Sequence, residues 1–233
     1  MKKFAGEHKG ELIFQVDAGG LFAAQGKPGD EARNRAMLEG MTRLGVAVVN
    51  LSPGDARVLP TLGARPKLPA LISANVRGNA PAYVVRAGAQ GQRIAFVGVS
   101  AMPLPEEPGV TVEDPKAALR RLIPELKQKA DSIVVLAYMP NQDVVSLAAN
   151  FPELDAIVSA YEHQGAAVPY QIGHAWIMQA EYEGKFVGFA GLEFGPDRRV
   201  AKLDPHGMQV LDTSIADQPE LAALVAKVKN GAP

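Results

Sequence analysis

The segment Val16–Phe22, which reads VDAGGLF, ends a run of apolar residues in a turn that holds an acidic side chain and two adjacent glycines. The run before it, Leu12–Val16, has the length and the apolar character of a β-strand. Glycine pairs mark turns because glycine tolerates backbone angles that other residues avoid. The segment therefore predicts a strand that ends at Asp17 and the loop behind it.

Three further segments have the same construction, an apolar strand followed by a turn with polar or small residues. They are Val48–Asp55, Ile133–Asp143 and Leu154–His163. Strands alternate with helical stretches through the first two-thirds of the chain, and from Val168 onward strands follow one another with only turns between them. This order predicts an α/β fold of mixed type, with two stacked mixed β-sheets flanked by helices. Because no stretch resembles a long linker, residues 1–233 are expected to form a single domain.

Apolar residues at helical spacing predict four helices. Asp30 and Asn141 are expected to cap two of them, since a short acceptor side chain can bond the free amides of the first turn. Pro124 lies inside a third helix and is expected to kink or split it. The helices are expected to run from Asp30 to Gly45, from Asp114 to about Lys129, from Asn141 to Asn150 and from Asp217 to about Lys229.

The composition excludes several classes of function. The net charge is −1, so there is no basic surface field to attract nucleic acid. No apolar run approaches the roughly 20 residues that span a bilayer, so membrane insertion is not expected. The chain as given shows no signal peptide, because charge follows Met1–Phe4 directly. It contains 0 cysteines, which excludes disulfides, thiol nucleophiles and thiolate metal sites.

No nucleotide-binding or hydrolase motif of the common kinds is present. The chain lacks a P-loop, a G-x-S-x-G turn, an H-E-x-x-H helix and a dinucleotide fingerprint. His8, His174 and His206 lie beside turn signals and are expected to be solvated loop residues. Nucleophile-and-base chemistry therefore has no support in the sequence.

Separated segments, in the same order along the chain, resemble the metallophosphoesterase (calcineurin-like) domain of the 5′-nucleotidase/UDP-sugar hydrolase family. The resemblance implies a four-layer sandwich of two stacked sheets between helices. The family's opening strand, with its Asp-x-His motif, has no counterpart. The matching segments are VDAGGLF at 16–22, VNLSPGD at 49–55, LISANV at 71–76, RIAFVGV at 93–99, LAYM at 136–139, DAIVSAYEH at 155–163 and MQAEYEGKFVGFAGL at 178–192.

The resemblance places the family's metal-ligand and catalytic positions on residues of other types. Gly20 stands where the bridging aspartate belongs, and Pro53 stands where the ligand asparagine belongs. Gly54 replaces the histidine that protonates the leaving group, and Asp55 replaces a glutamate. Tyr138 occupies the place of a ligand histidine. Glycine and proline side chains offer no ligand atom, and a neutral tyrosine is a poor ligand for the metals of such sites.

The last of these segments keeps one ligand type. Tyr161 replaces the first histidine of the family's "GGHSH" sequence, and His163 alone remains. The leading hypothesis is thus a catalytically degenerate domain, a pseudoenzyme that has lost the two-metal site, needs no cofactor and acts as a binding or structural module. The alternative is a metal-dependent phosphoester hydrolase with a rebuilt site, in which Asp17, Asp55 and His163 hold one weakly bound divalent metal. Asp17 is more readily explained as a loop residue that bonds backbone amides.

Two further expectations depend on the same resemblance. Tyr138, Tyr161, Tyr170 and Trp176 are expected near the former cleft, where they either fill the vacated volume or stack on a base or sugar. The family is mostly exported, so a periplasmic or extracellular location is implied by analogy. Other domains or subunits of an exported assembly are possible partners.

Overall fold

The computed structural model describes residues 6, 8, 11–22, 29–62, 69–78, 80–101, 109–161, 168–179 and 184–230. Within these residues the α-helices are α1 (Asp30–Leu44), α2 (Pro53–Val58), α3 (Pro115–Lys129), α4 (Asn141–Asn150) and α5 (Pro219–Lys229), and a 3-10 turn at Leu59–Leu62 follows α2. The strands are β1 (Val16–Asp17), β2 (Val48–Asn50), β3 (Ala70–Ile72), β4 (Tyr83–Ala87), β5 (Arg93–Ser100), β6 (Ser132–Tyr138), β7 (Ala156–Ala160), β8 (Tyr170–Ile172), β9 (Ala175–Gln179), β10 (Phe186–Phe194) and β11 (Val200–Val210). The predicted mixed α/β class is confirmed.

A six-stranded sheet forms the centre of the molecule, in the order β4-β5-β6-β7-β9-β8. Its four inner strands are parallel, and the edge strands β4 and β8 run antiparallel to their neighbours. The inner strands read as continuous apolar runs because both faces of the sheet are covered. One face packs against α3 and α4, through buried residues such as Leu119, Leu126 and Leu147.

The other face of this sheet is covered by two smaller sheets. One is the parallel sheet β1-β2-β3, and the other is the antiparallel pair β10-β11. Val48, Ile72 and Phe194 from these sheets pack with Phe96 and Leu136 of the central sheet in one apolar cluster. The second layer was expected as one continuous sheet. In the described part of the chain it is divided, because β1 has two residues and pairs only with β2.

The helix predictions are confirmed in extent and corrected at three residues. Asp30 is the first helical residue and not the cap, which is Gly29 at φ +86°. Asn141 is likewise the first helical residue, behind a cap at Pro140. The expected split at Pro124 is wrong, because α3 runs unbroken through it with Pro124 on the exposed side. The buried residues of α3 hold the helix against the sheet, and this packing compensates for one missing backbone donor.

One strand prediction also changes. The run from Leu12 forms a strand only at Val16–Asp17. Near the end of the chain, β11 is one long strand whose pairing with β10 shifts in register after Phe189 and after Glu193. Strand β8 and helix α2 were not predicted. None of the described helices is long and apolar enough to cross a membrane.

The hairpin β10-β11 is attached to the amino-terminal edge of the central sheet through Asp155, whose side chain is 1% exposed. Asp155 Oδ1 accepts from Arg199 Nε at 3.0 Å and from Val200 N at 3.3 Å, and His174 Nε2 lies 3.0 Å from the same oxygen. Asp155 Oδ2 accepts from Ile133 N at 2.8 Å. The expectation of a solvated His174 is therefore wrong, because its ring pairs with a buried carboxylate.

We expect Asp155→Asn to lower the free energy of unfolding by about 2–4 kcal/mol, because a buried carboxylate that accepts charged and neutral hydrogen bonds is replaced by a group that can satisfy only part of them. Urea unfolding monitored by circular dichroism measures this change. Glu193→Gln, which removes an exposed pair with Lys202, is the control and should change stability little. Equal stability of the two variants would contradict the assigned role of Asp155.

Candidate functional site

Four of the residues singled out from the sequence meet at the carboxyl-terminal edges of the parallel strands. Gly20 lies in the loop after β1, and Asp55 lies in the first turn of α2, directly after β2. Tyr138 ends β6, and its register partner on β7 is Ala160, which directly precedes Tyr161. His163 lies outside the described residues.

The Asp55 carboxylate is 1% exposed and is bonded by three backbone amides. Gly20 N and Ser52 N donate to Oδ2, each at 2.9 Å, and Phe22 N donates to Oδ1 at 2.8 Å. In return, Asp55 N donates to Ser52 Oγ at 3.1 Å, which completes a capping box. Both oxygens of Asp55 therefore hold the loop after β1 to the loop after β2.

Pro53 and Gly54 lie in the first turn of α2, where the resemblance places a ligand asparagine and the histidine that protonates the leaving group. Pro53 is buried and begins the helix, a position at which proline's missing amide has no cost. Neither side chain offers a donor atom to a cation. A capping signal, Ser52 with an acidic residue three positions later and a proline between, could have predicted this helix from the sequence.

The Tyr138 ring lies on the side of Gly20 from which a Cβ would project. Gly20 has a φ of +78°, and a Cβ added there would lie 2.6 Å from Tyr138 Cε2, closer than real atoms approach. The ring also contacts Tyr161 edge to face, with centroids 5.1 Å apart and planes at 76°. Burial raises the pKa of the Tyr138 hydroxyl, and the nearby Asp55 and Tyr161 raise it further. Tyr138 therefore remains a neutral phenol that occupies the space of a side chain at position 20.

Asp17 lies on the same edge and is half-buried. Its Oδ1 accepts from Gly19 N at 2.8 Å, which is the contact expected of a residue that holds its own loop. The pKa of Asp17 is raised from 3.8 to about 6. Burial is the largest cause, the hydrogen bond from the Gly19 amide opposes it, and the Asp55 charge adds to it. Asp17 is thus the site carboxyl whose charge changes near pH 6.

Asn50 joins the strand ends beneath the loops, and sequence reasoning missed it. Its Nδ2 donates to Ala18 O at 3.0 Å and to Val99 O at 2.9 Å, so it links β1, β2 and β5. Within the described residues its buried Oδ1 has no hydrogen-bond partner. Gly98 provides the room for this amide, because a Cβ at position 98 would collide with Asn50 Oδ1. The same Cβ would lie 2.8 Å from Ile72 O. Nothing in the apolar strand sequence signals these long-range contacts.

The four aromatic residues expected in one cleft are distributed over both faces of the central sheet. Tyr170 packs on the face covered by α3 and α4, and its hydroxyl donates to Asn141 Oδ1 at 2.8 Å. Trp176 packs into the apolar cluster on the opposite face. Only Tyr138 and Tyr161 contact each other in the candidate site, so the expectation of a shared aromatic cleft is corrected.

The chemistry of the donor groups decides whether a metal pair fits. Within the described residues, no three His, Cys, Asp or Glu side chains form a group that could hold a metal ion. Gly20, Pro53 and Gly54 lack donor atoms, and the oxygens of Asp55 are engaged by backbone amides. The described donor set does not match the two-metal site of the family that the sequence resembles.

Comparison with known proteins gives one curated relative and several solved structures. The chain is 30% identical over 117 residues to the uncharacterized metallophosphoesterase YunD of Bacillus subtilis, in an alignment covering 48% of this chain and 25% of YunD. No family profile matches the chain.

Two solved structures share the fold over almost the whole chain. The sulfate thiohydrolase SoxB of Thermus thermophilus superposes with a TM-score of 0.82 at 18% identity, over 99% of this chain and 45% of SoxB. A 5′-nucleotidase precursor, also from Thermus thermophilus, superposes with a TM-score of 0.78 at 17% identity, over 98% of this chain and 51% of that protein. The chain spans a quarter of YunD and about half of each solved protein.

The order of the sequence motifs, the sheet topology and the superpositions all agree on one fold. The recognition made from the sequence is confirmed at the level of the fold: the chain has the calcineurin-like metallophosphoesterase fold of the 5′-nucleotidase family.

Proposed function

We propose that this chain is a non-catalytic domain descended from a 5′-nucleotidase-type metallophosphoesterase, and that it serves as a binding or structural module. One observation carries the proposal: the Tyr138 ring occupies the side-chain space of Gly20, the position at which the resemblance places the bridging carboxylate. The engagement of both Asp55 oxygens by backbone amides supports the same conclusion.

The chemistry of the ancestral reaction explains why these contacts matter. Two-metal hydrolysis needs cations roughly 3.5–4 Å apart, which activate water and stabilise the attacking and leaving oxygens. A bridging carboxylate has to stand between the cations. At position 20 a side chain would collide with an aromatic ring, so a bridge cannot form there without displacement of Tyr138.

A second candidate is a metal-dependent phosphoester hydrolase with a rebuilt site on Asp17, Asp55 and His163. The observation that favours it is the raised pKa of Asp17 beside a second carboxylate, since perturbed pKa values gather at functional sites. Asp17 Oδ1 already accepts from an amide, so the site would hold one divalent metal weakly.

The setting of the domain is part of the proposal. A periplasmic or extracellular location follows from the resemblance alone. A role beside other domains or subunits of an exported assembly is proposed on the same resemblance.

The decisive experiment combines metal analysis with an activity assay. We expect the purified protein to contain well under one equivalent of Mn, Zn, Fe or Co by mass spectrometry. We also expect no hydrolysis of p-nitrophenyl phosphate, 5′-AMP or UDP-glucose above the buffer rate, with or without added Mn²⁺. Near-stoichiometric metal, together with a metal-stimulated rate that His163→Ala and Asp17→Asn abolish, would overturn the proposal and establish the second candidate.

The contact between Gly20 and Tyr138 predicts a coupled pair of substitutions. Gly20→Ala should lower the free energy of unfolding by about 2–4 kcal/mol, of which about 1–2 kcal/mol is backbone strain and the remainder is steric overlap. Gly109→Ala is the matched control, because Gly109 has a φ of +77° and nothing within 4 Å of an added Cβ. In a Tyr138→Ala background the excess of Gly20→Ala over the control should vanish. A persistent excess would show that the ring is not the obstacle.

The raised pKa of Asp17 predicts a pH-dependent stability difference. Between pH 3.8 and about 6 the folded state binds more protons than the unfolded state, so stability falls as the pH rises through this window. Asp17→Asn keeps an acceptor for Gly19 N and carries no charge. The variant should therefore gain about 1–3 kcal/mol relative to the parent between pH 4 and pH 7, measured by urea unfolding. A constant difference across this range would contradict the raised pKa.

Added Mn²⁺ separates the two candidates in the same measurement. If Asp17 holds a metal, saturating Mn²⁺ should stabilise the parent protein more at pH 7 than at pH 5, because the metal competes with the proton. For the non-catalytic domain we expect equal curves with Mn²⁺ and with EDTA.

A further inference from the structure

An open-sided cavity of about 410 Å³ lies between the segment that follows β3 and the start of α3, and none of its lining residues belongs to the candidate site. Its volume lies within the range of about 300–1,000 Å³ that is typical of small-molecule sites. Gly78, Ala80 and Ala82 line part of it, and their small side chains leave the space open. The polar and charged lining residues are Ser73, Asn75, Arg77, Glu113 and Arg121.

The wall of this cavity is held rigidly by Asn75, which belongs to the motif LISANV. Asn75 Nδ2 donates to Ser100 O at 2.7 Å and to Glu113 O at 2.8 Å, and its Oδ1 accepts from Ser100 N at 2.9 Å. On either side, Glu113 N donates to Asn75 O and Arg77 N donates to Thr111 O. The segments that carry Arg77 and Glu113 are therefore joined by backbone hydrogen bonds, which fix the backbone positions of these two residues relative to each other.

The charges of the cavity do not balance. Arg121 Nη2 and Glu113 Oε2 form an ion pair at 2.8 Å, with side-chain exposures of 55% and 42%. This contact uses one of the five N–H donors of the Arg121 guanidinium. The Arg77 side chain is exposed and makes no hydrogen bond or ion pair within the described part of the chain. Among the described lining residues there is therefore one uncompensated positive charge, next to a carboxylate that is already partly engaged.

We propose that this cavity binds a small organic oxyanion, a carboxylate or a phosphate monoester, that also carries a hydroxyl or ammonium group. The oxyanion would pair with Arg77, whose planar guanidinium matches carboxylate and phosphate oxygens in a two-point contact. The free N–H groups of Arg121 would provide further donors. The hydroxyl or ammonium group would donate to Glu113, which a simple inorganic anion cannot do.

The proposal is independent of the non-catalytic role proposed above. It uses no residue of the candidate site and requires no metal, so binding should be the same in Mn²⁺ and in EDTA. Failure of one proposal therefore leaves the other standing.

Pairs of small anions that differ in a hydroxyl group test the proposed ligand class. Isothermal titration at about 0.15 M salt, where surface attraction is largely screened, compares lactate with propionate and glycerol 3-phosphate with methyl phosphate. We expect at least one hydroxylated probe to bind with a Kd below about 10 mM, and about tenfold more tightly than its partner without the hydroxyl. The proposal is overturned if no probe saturates the protein in this range.

Substitutions assign the binding to the cavity. Arg77→Gln should weaken the best probe at least about tenfold, the loss expected for a charged hydrogen bond. The thermal unfolding of this variant should match that of the parent, because the Arg77 side chain makes no contact that folding requires. Arg120→Gln is the control, since Arg120 lies on the same helix as Arg121 but its guanidinium is placed 5.8 Å over the Phe151 ring.

Glu113→Gln distinguishes the proposed ligand class from simple anions. Loss of the negative charge should tighten the binding of methyl phosphate and reduce the preference for the hydroxylated probes, because the glutamine oxygen is a weaker acceptor than a carboxylate. Unchanged affinity in Arg77→Gln, or an equal loss in Arg120→Gln, would exclude the cavity as the binding site.

Discussion

The hydrogen bonds from three backbone amides to the Asp55 carboxylate determine the shape of the loops at the candidate site. Two of them, from Gly20 and Phe22, join the loop after β1 to the amino end of α2 across more than 30 residues of sequence, and the third, from Ser52, lies within the cap of α2. A bond to an ionised acceptor contributes roughly 1.5–3 kcal/mol. With both oxygens engaged, Asp55 fixes Gly20 next to the Tyr138 ring.

The same bonds set the electrostatics of this edge. Asp55 remains buried among amides, and its charge raises the pKa of both neighbours that titrate, Asp17 and Tyr138. The site therefore combines one carboxyl of raised pKa with a phenol that stays neutral. This arrangement differs in kind from a cluster of ionised ligands around cations, even though the backbone that carries it has the same fold as the solved metallophosphoesterase-like proteins.

Much of the architecture could be predicted because its signals are local. The inner strands β5, β6 and β7 are continuous apolar runs, and Asp114 with Pro115 marks the start of α3, where the structure has the same cap. Gly45 ends α1 in the left-handed conformation, as expected. Features that depend on tertiary contacts were missed or misplaced. Strand β8 exists because β9 pairs with it, and Pro124 is tolerated because packing holds its helix.

In the candidate site, too, local sequence signals predicted positions but not tertiary contacts. Motif order predicted that Gly20, Asp55 and Tyr138 follow or end strands, and in the structure they lie at the carboxyl ends of β1, β2 and β6. The contacts between them could not be predicted, because they join residues 35 or more positions apart. Asn50 and His174 gave no local signal, and each is explained only by the buried groups that it bonds.

The bonds that Asp155 makes lie at the end of the central sheet opposite to the candidate site. The attachment of the terminal hairpin is thus spatially separate from the loops that would carry chemistry. Substitutions in the loops of the candidate site therefore leave the contacts of Asp155 with the hairpin intact, and a change at Asp155 leaves the bonds of Asp55 intact. The two ends of the central sheet can in this way vary separately in sequence.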